Sequence, residues 1–408
     1  MIDFDFNEYC CGCSSCANAC PTHAINMVVN EEGFLMPVIS TDSCIKCGKC
    51  DNACPYINSQ KEKTVISRND FDDKKTFLYY SKSKEREKSA SGGFVNDVYK
   101  LFIKQGGYAA GCVWDKNIVA RHIVSNDDKD IARMQSSKYV QSDISHSYAD
   151  VRELLKKGCK IAFCGTPCQT AGLHYFLGKT DRSNLVSICC ICHGVPSPGV
   201  WDCYKKTLER QYGGVLIDVN MRDKSYKGYS TSYARYTFDC NDEAARTPQT
   251  ARNVGLPTYL ADPYIFLFTD DLYLRNSCYH CPYKGANNKA DIIVGDFYAS
   301  IPQAGNLGCS SVIAMTEKGE KLIKELGGGC VEGDNSVVIG ANSMLWKSVS
   351  ANTKRKEFFE DYKAGKSNLF AKYLPVRFRI KRFLNNIGIF NAYLSTKRKI
   401  TNFINRSK

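Results

Sequence analysis

Two cysteine runs near the start of the chain are the most informative stretch of the sequence: CCGCSSCANACP at residues 10–21 and CIKCGKCDNACP at residues 44–55. Each run has the spacing C-x2-C-x2-C-x3-C-P, which bacterial proteins use to bind a pair of 4Fe–4S clusters. In that arrangement three cysteines of a run bind one cluster and the fourth binds the other. The duplicated spacing therefore predicts a small two-cluster domain at the front of the chain.

This spacing assigns eight thiolates to two ligand sets. We predict Cys10, Cys13, Cys16 and Cys54 for one cluster, and Cys44, Cys47, Cys50 and Cys20 for the other. The alternatives are two zinc sites or a disulfide framework. Eight cysteines in two matching copies, each closed by a proline, argue against both. We therefore expect a ferredoxin-type domain over residues 1–57.

Composition limits what the rest of the chain can be. A length of 408 residues exceeds one ordinary hydrophobic core and predicts two or three domains. Hydrophobic residues make up 43% and charged residues 24%, which is typical of globular proteins, and no run of eighteen apolar residues occurs. The start of the chain lacks the pattern of a signal peptide. With 22 cysteines and no export signal, we expect reduced thiols and a cytoplasmic protein.

Apolar segments alternate between strand and helix patterns after the first domain. Short connections between them predict parallel βαβ units in an open α/β sheet. Polar–apolar alternation from residue 213 to about 238 predicts added antiparallel strands. The predicted fold is therefore α/β with parallel βαβ units and added antiparallel strands, preceded by a small α+β two-cluster ferredoxin domain. The expected divisions are a linker at 58–74, an α/β domain at 75–345 with a division near 170 left open, and a helical basic tail at 346–408.

Four further cysteines form a second group of candidate ligands. Cys168 follows a predicted strand, Cys192 ends another, and Cys278 and Cys281 form a C-x2-C pair. Because carboxyl ends of parallel strands share one sheet edge, we expect these thiols to meet there. They predict a third 4Fe–4S cluster. Zinc at the same thiols, or a cysteine pair without metal, are the alternatives. The remaining ten cysteines are interpreted as buried free thiols.

Four other features are candidates for cofactor binding or catalysis. The run Ser89-Ala90-Ser91-Gly92-Gly93 precedes a predicted helix, which suits a phosphate or an ordinary helix cap. His193 follows a predicted ligand and is a candidate proton relay, or a structural histidine. Asp296 ends a buried strand and is a candidate catalytic acid, or a structural hydrogen-bond acceptor. The segment 138–142 offers a lysine beside a tyrosine, or is a surface loop.

An ordered set of short motifs resembles the beta subunits of the deazaflavin coenzyme (F-420) hydrogenases and dehydrogenases. The matching stretches are Ser91-Gly92-Gly93, Lys138-Tyr139-Val140-Gln141-Ser142, Gly165-Thr166-Pro167-Cys168-Gln169, Cys192-His193-Gly194-Val195-Pro196-Ser197, Cys278-x2-Cys281 and Asp291-Ile292-Ile293-Val294-Gly295-Asp296-Phe297. They cover roughly residues 75–300 in the family's order. The ferredoxin module in front is a common family fusion.

The resemblance implies an FAD in the α/β domain that exchanges hydride equivalents with a soluble redox partner. It makes Ser91, Gly92, Gly93, Lys138, Tyr139, Gln141, Thr166 and Gln169 candidate flavin contacts. Relatives with a ferredoxin front resemble bacterial proteins associated with surface-polysaccharide synthesis, so we do not expect the deazaflavin as substrate. The leading hypothesis is an oxidoreductase that passes electrons between 4Fe–4S clusters and FAD. The alternative is an electron-transfer subunit that docks on a larger redox enzyme and has no substrate site of its own.

The excess positive charge belongs to the end of the chain. From residue 362 onward there are twelve Lys and Arg residues and no Asp or Glu, whereas the rest of the chain is close to neutral. The stretch after Pro375 spaces apolar residues at Val376, Ile380, Phe383, Leu384 and Ile387, which predicts a basic amphipathic helix. We expect peripheral contact with the inner membrane face or packing on the body. Nucleic acid is not expected, because no recognisable binding module accompanies the charge.

Overall fold

The computed structural model describes residues 2–62, 65–225, 228–240, 251–258, 261–299 and 301–386. The front domain consists of four short helices and one β-hairpin. Its elements are α1 (Phe6–Tyr9), α2 (Ser15–Ala19), β1 (Ile25–Val29), β2 (Leu35–Ile39), α3 (Lys49–Ala53) and α4 (Pro55–Glu62). The small hydrophobic core of this domain includes thiols from both cysteine runs, such as Cys16 and Cys50. Several of the predicted cluster ligands therefore form part of this core.

The α/β part follows, with strands and helices alternating along the chain. Its first elements are β3 (Lys75–Tyr80), α5 (Phe94–Lys104), β4 (Tyr108–Trp114), β5 (Ala120–Ser125), α6 (Asp128–Met134), α7 (Ser147–Lys156), β6 (Ile161–Gly165), α8 (Pro167–Leu177), β7 (Leu185–Cys190) and α9 (Pro198–Tyr212). The remaining elements are β8 (Val215–Asp223), β9 (Tyr233–Asp239), β10 (Arg252–Pro257), α10 (Pro263–Thr269), β11 (Ile292–Phe297), β12 (Cys309–Ala314), α11 (Glu317–Glu325), β13 (Gly329–Glu332), α12 (Asn335–Gly340), α13 (Arg355–Lys363), α14 (Leu369–Tyr373) and α15 (Val376–Asn386).

An eight-stranded mixed sheet forms the centre of the α/β part, in the order β13-β3-β12-β11-β7-β6-β4-β5. The four strands β11, β7, β6 and β4 are parallel to one another, and antiparallel strands flank them on both sides. A separate antiparallel sheet contains β8, β9 and β10. The predicted fold class, with parallel βαβ units and added antiparallel strands, is confirmed.

Side chains alternate between the two faces of the central sheet, as expected for strands. In β6, Ala162 faces a core built with α5 and α11, whereas Ile161 and Phe163 face a core built with α7 and α8. Helices thus cover both faces of the parallel strands, which explains why those strands read as nearly continuous apolar runs. A third core joins α9, α10 and the C-terminal helices to the three-stranded sheet.

The segment expected as a linker, 58–74, is partly folded. Helix α4 continues to Glu62, and a 3-10 turn spans Arg68–Phe71. Phe71 is buried in a core beneath β11 and β12, and Asp70 accepts a hydrogen bond from the backbone N–H of Ala286 (2.8 Å). This segment is therefore packed against the α/β part rather than free of it, because an aromatic side chain and a capping carboxylate tie it down.

The basic tail is helical as far as it is described. Helix α15 is held by Phe378, which is buried and packs on Phe266 with ring centroids 4.5 Å apart. Of the predicted apolar stripe, Val376, Ile380 and Phe383 are exposed, the side chain of Leu384 is not described, and Ile387 lies outside the described residues. Among the residues that the structure describes, no helix is both long and apolar enough to cross a membrane.

Candidate functional site

The second cysteine run meets the last cysteine of the first run beside the β1–β2 hairpin. Cys44, Cys47, Cys50 and Cys20, which we call the outer site, line one cavity. The backbone N–H of Ala24 donates to Cys20 Sγ at 3.2 Å. Burial raises the pKa of the Cys20 thiol, but hydrogen bonds from Thr22 and nearby backbone outweigh this effect and lower it. The arrangement suits thiolate ligands, since N–H···S bonds favour the charged sulfur.

The other four predicted ligands of the front domain lie close together. We call Cys10, Cys13, Cys16 and Cys54 the inner site. Burial, followed by repulsion from Cys10 and Cys54, raises the pKa of the Cys16 thiol. Burial and then repulsion from Cys10 also contribute to the raised pKa of Cys54. Such mutual effects require the sulfurs to be close together, and bound iron would reverse them by favouring the thiolates.

The two cysteine runs share a backbone conformation but have different surroundings. Ser14 and Gly48, which occupy equivalent positions, both have a positive φ, of 58° and 70°. Gly12 and Lys46 are likewise equivalent, with φ of 64° and 54°. Lys46 is exposed to solvent, whereas a Cβ on Gly12 would lie 2.6 Å from the guanidinium of Arg275. The inner loop is therefore pressed against the body of the protein at a point where the outer loop faces solvent.

A third group of cysteines lies where the front domain meets the sheet. Cys168, Cys192, Cys278 and Cys281, which we call the third site, line a single cavity, as the sequence predicts. Burial, then repulsion from Cys192, Cys168 and Cys281, raises the pKa of the Cys278 thiol. The backbone N–H of Val195 donates to Cys278 Sγ at 3.4 Å, and the Thr166 hydroxyl lies 3.2 Å from Cys168 Sγ.

Cys11 connects the third site to the inner site. Cys11 lines the cavity of the third site, and the neighbouring Cys13 thiol, partly offset by Cys168, raises the pKa of the Cys11 thiol. The sequence assigned Cys11 to the buried free thiols, because it lies outside the repeating spacing. Its equivalent in the outer run is Ile45, which is 64% exposed. The contact therefore depends on docking of the front domain and is not visible in the motif.

The thiol groups do not resemble single-ion sites. Among the described residues, no three His, Cys, Asp or Glu side chains converge closely enough to bind one metal ion. A zinc site requires its four sulfurs at about 2.3 Å from a single ion. This geometry gives no support to the zinc alternatives, whereas a 4Fe–4S cube distributes its four thiolates over four irons.

A larger cavity of about 560 Å³ opens at the carboxyl ends of the parallel strands. We call it the sheet-edge cavity. Eight of the predicted site residues line it: Ser91, Gly93, Lys138, Tyr139, Thr166, Gln169, His193 and Asp296. The strand-end rule of parallel sheets accounts for this convergence, since β6, β7 and β11 deliver their following residues to one edge. Its volume falls within the range of small-molecule sites.

Several buried polar atoms around this cavity have no partner in the described part of the chain. They are Ser89 Oγ, Asn96 Oδ1 and Gln135 Oε1. An unsatisfied buried polar group costs free energy, so such atoms indicate a missing hydrogen-bonding partner. Ser89 precedes α5 and Asn96 lies in its first turn, so two of these atoms surround the start of that helix. The cavity thus fits a polar cofactor: the Ser89 hydroxyl can donate to an anionic group, whereas the two amide oxygens need a hydrogen-bond donor.

Two predicted cofactor contacts lie elsewhere. The backbone N–H of Gly92 donates to Ser310 Oγ at 3.0 Å, and Gly92 lies outside the cavity wall. Gln141 donates from Nε2 to the carbonyl of Cys11 at 2.8 Å and accepts at Oε1 from Arg275 Nε at 2.8 Å. Gln141 therefore joins the inner loop to the body, and its predicted flavin contact has no support in this geometry.

The two candidate catalytic residues both have partners at the cavity. His193 Nε2 lies 2.5 Å from Asp271 Oδ1, and its ring packs edge-on against Phe268. Asp296 accepts a hydrogen bond from Arg222 Nη1 at 2.9 Å. The same nitrogen donates to the Tyr139 hydroxyl at 2.9 Å. Arg222 lies in β8 of the separate sheet and was missed in the sequence, where it carries no motif.

Two buried basic residues were missed for the same reason. Lys224 Nζ donates to the carbonyl of Ser91 at 2.8 Å, and burial, followed by the nearby Arg86 and Arg222, lowers the pKa of Lys224 to about 7. Arg86 donates to the carbonyl of Gly308 at 2.7 Å. Together with Arg222, these residues surround the Ser89–Gly93 loop with positive charge.

The sequence of this chain matches two known families. Residues 9–58 match the 4Fe-4S dicluster domain, and residues 158–332 match the family of the C-terminal part of the coenzyme F420 hydrogenase/dehydrogenase beta subunit. Residues 9–58 therefore form a 4Fe–4S dicluster region, and residues 158–332 a region of the F420 hydrogenase/dehydrogenase beta-subunit type. The family resemblance predicted from the sequence motifs is thereby confirmed, and with it a role in iron–sulfur electron transfer.

One solved structure similar to this chain is titled "Xenon derivatization of the F420-reducing [NiFe] hydrogenase complex from Methanosarcina barkeri". The alignment with one chain of that structure covers 73% of this chain and 89% of the other, with 14% sequence identity and a TM-score of 0.38. Similarity at this level is too low to support a conclusion about fold or function. No curated protein sequence matches the chain.

The grouping of thiols predicts that the fourth cysteine of each run serves the opposite site. Cys20→Ala should lose about four irons per chain and give the same electron paramagnetic resonance (EPR) spectrum as Cys44→Ala, whereas Cys54→Ala should behave like Cys13→Ala. Iron analysis and EPR of the reduced variants measure both. Cys11→Ala, whose thiol belongs to neither set, is the control and should retain the iron of both sites. A Cys20→Ala variant that instead resembled Cys13→Ala would contradict the assignment of Cys20 to the outer site.

Proposed function

We propose that this protein is an iron–sulfur flavoprotein oxidoreductase. Electrons pass between the outer site and an FAD in the sheet-edge cavity by way of the inner and third sites, and the FAD exchanges hydride equivalents with a soluble substrate. One observation carries the proposal: residues 192–195 line both the cavity of the third site and the sheet-edge cavity. A single segment of backbone therefore separates a four-thiol site from a cofactor-sized space.

The position of α8 supports continuity between the front domain and the sheet. Ser15 Oγ donates to the carbonyl of Ala53 at 2.8 Å and to that of Gly172 at 2.9 Å, so α2 and α3 of the front domain are tied to α8. Cys168 lies in the first turn of α8. The helix that carries a ligand of the third site is thus the same helix that supports the inner site.

A 4Fe–4S cluster at the third site is part of the proposal. Its four thiols face one cavity, and Lys284, which is buried, donates from Nζ to the carbonyl of Cys192 at 2.9 Å. Burial and repulsion from Cys168 raise the pKa of the Cys281 thiol. The positive charge of Lys284 lowers this pKa in part and so favours the thiolate. A nearby cation compensates the negative charge that four thiolates bring to a cluster.

The Ser89–Gly93 loop and α5 are suited to the diphosphate of FAD. The N-terminus of α5 carries no side-chain cap, so its first N–H groups are available to an anion. Arg222 and Lys224 add positive charge on the opposite side of the loop. Lys138, whose pKa burial lowers, is held by the carbonyls of Gln135 and Ser136 at 2.8 and 3.3 Å.

Bound FAD supplies the step between two-electron hydride chemistry and one-electron transfer to clusters. The residues of this chain contribute orientation and proton handling. Asp271 orients the imidazole of His193 at the wall shared by both cavities, and Arg222 fixes the carboxylate of Asp296 beside Tyr139. His193 and Asp296 are therefore the side chains placed to hold or move a proton there. We place the protein in the cytoplasm, where thiols remain reduced.

The cofactor content of the purified protein tests the proposal. Anaerobic preparations should contain about twelve irons and one FAD per chain, and Cys278→Ala with Cys281→Ala should lower iron to about eight. Iron, sulfide and flavin analyses measure this. Cys330→Ala on β13, which lies outside all three thiol groups, is the matched control.

The expected activity is hydride exchange by the isolated chain with a nicotinamide or a sugar-derived substrate. Reduction of its flavin only when a partner redox protein is added would instead favour a docking subunit without a substrate site. An unchanged iron content in the double cysteine variant would contradict the third cluster.

The anion contact near Ser91 predicts a dependence of FAD affinity on Arg222. Replacing Arg222 by Gln should weaken FAD binding roughly tenfold to a hundredfold, because a hydrogen bond to a charged group contributes about 1.5–3 kcal/mol. Titration of apoprotein with FAD, followed by flavin fluorescence, gives the dissociation constant. Arg235→Gln is the control, since Arg235 pairs with Asp223 on the same small sheet and lies outside the cavity. Equal affinities for the Arg222 and Arg235 variants would exclude Arg222 from the site.

The exposed apolar side of α15 extends the proposal to a contact with anionic membranes. Val376, Ile380 and Phe383 are 70%, 54% and 62% exposed, and basic residues interrupt them. Ile380→Ser with Phe383→Ser should lower binding to phosphatidylserine vesicles at least about tenfold, since burial of one such side chain contributes about 1.5–3 kcal/mol. Co-sedimentation measures the bound fraction. Val337→Ser, which removes another exposed apolar side chain, should have no effect. If the Ile380/Phe383 double variant bound vesicles as well as Val337→Ser, the apolar side of α15 would not be the membrane contact.

A further inference from the structure

Arg275 is a buried charge that lies between the inner site and the third site. Its side chain is 1% exposed. Nε donates to Gln141 Oε1, Nη1 to the carbonyl of Cys10 and Nη2 to the carbonyl of Leu35, each at 2.8 Å. The guanidinium also lies over the ring of Phe34 at 4.6 Å. All of these partners are neutral.

No carboxylate within the described part of the chain pairs with Arg275 within 4 Å. By contrast, Arg355, which also joins the front domain to the body, forms an ion pair with Glu32. Burying a cation without a counter-charge costs several kcal/mol, and natural proteins normally pair such a group. The structure therefore places an uncompensated positive charge at this position, and a negative group is needed beside it.

The inner site supplies that negative group when iron is bound. Nη1 of Arg275 donates to the carbonyl of Cys10, a predicted ligand of this site, at 2.8 Å. Gly12, in the same loop, has the positive φ and the missing Cβ that allow this approach. Four thiolates around a 4Fe–4S cube leave a net negative charge, and reduction adds one more. A buried cation at this distance favours the reduced form.

We propose that Arg275 raises the reduction potential of the inner cluster above that of the outer cluster. An electron then leaves the outer cluster, which is oxidised by one electron, and the inner cluster is reduced by that electron. No proton or further reductant is required. The outer run lacks this contact, because Lys46 occupies the place of Gly12 and points to solvent. The two clusters have the same ligand pattern. Electron transfer between them is therefore directed by the buried positive charge, which lies beside the inner cluster only.

This inference depends on the clusters of the proposed function and adds a role for one residue outside the ligands. EPR-monitored redox titration of the reduced full-length protein tests it, with the signals of the outer and inner clusters assigned by their loss in Cys44→Ala and Cys13→Ala, respectively. In Arg275→Gln, the reduced-to-oxidised ratio of the inner cluster at a fixed potential should fall at least tenfold, which corresponds to 59 mV for a one-electron couple. The outer cluster should not shift.

Two variants separate charge from structure. Arg275→Lys keeps the positive charge but not the three hydrogen bonds, and should retain the inner potential within about threefold in the same ratio. Arg355→Gln removes a paired arginine from the same interface and should leave both clusters unchanged. An inner potential unaltered in Arg275→Gln, or shifted equally in Arg275→Lys, overturns the inference.

Loss of inner-site iron is informative as well. If Arg275→Gln loses that iron while Arg275→Lys keeps it, the site depends on the charge, in support of the inference. Equal loss from both variants gives Arg275 a structural role and overturns it. A wild-type protein without the two EPR signals would instead refute the proposed function itself, so the two failures are distinguishable.

Discussion

One buried guanidinium holds the inner loop of the front domain against the body of the protein. Arg275 holds the carbonyls of Cys10 and Leu35 on the front domain and the amide of Gln141 on the body. Gln141 in turn holds the carbonyl of Cys11. Through these contacts the inner loop is fixed against the sheet, with Cys11 within hydrogen-bonding reach of Cys168. Together with the contacts of Ser15 to α8 and of Arg355 to Glu32, this attachment fixes the separation of the inner and third sites.

Duplication of the cysteine run explains the similarity of the two front-domain sites, and docking explains their difference. Equivalent loop positions keep the same left-handed backbone conformation, at Ser14 and Gly48 and at Gly12 and Lys46. The inner loop then lies against the body, whereas Ile45, Lys46 and Cys47 are exposed in the outer loop. A partner protein can therefore reach the outer site directly. Exposure, hydrogen bonds and nearby charge all shift cluster potentials, so identical ligand spacing does not imply identical potentials.

Local patterns predicted the positions of thiols well, because metal ligands obey short-range spacing and strand ends obey simple topology. The alternating elements place Cys168 and Cys192 after β6 and β7, and the structure brings them to one cavity with Cys278 and Cys281. Arg222 and Arg275 escaped prediction, since each acts on residues far along the chain and belongs to no motif. The contacts of Gln141 escaped prediction for the same reason. Its motif resembled a cofactor contact, whereas long-range packing places its side chain against the inner loop.

The same loops line both the third site and the sheet-edge cavity, and this fixes the distance between the two spaces. After β6, Thr166 and Gln169 contribute to the sheet-edge cavity, while Cys168, between them, contributes to the third site. After β7, Cys192 and His193 occupy the wall between the two spaces. Gln169 locks the first of these loops, because its Oε1 accepts from the N–H of Thr166 at 3.0 Å and its Nε2 donates to Ser142 Oγ at 3.0 Å. A fixed loop that serves two spaces sets the distance between them by backbone geometry alone. Any electron transfer across this wall therefore proceeds between centres whose separation does not depend on domain motion.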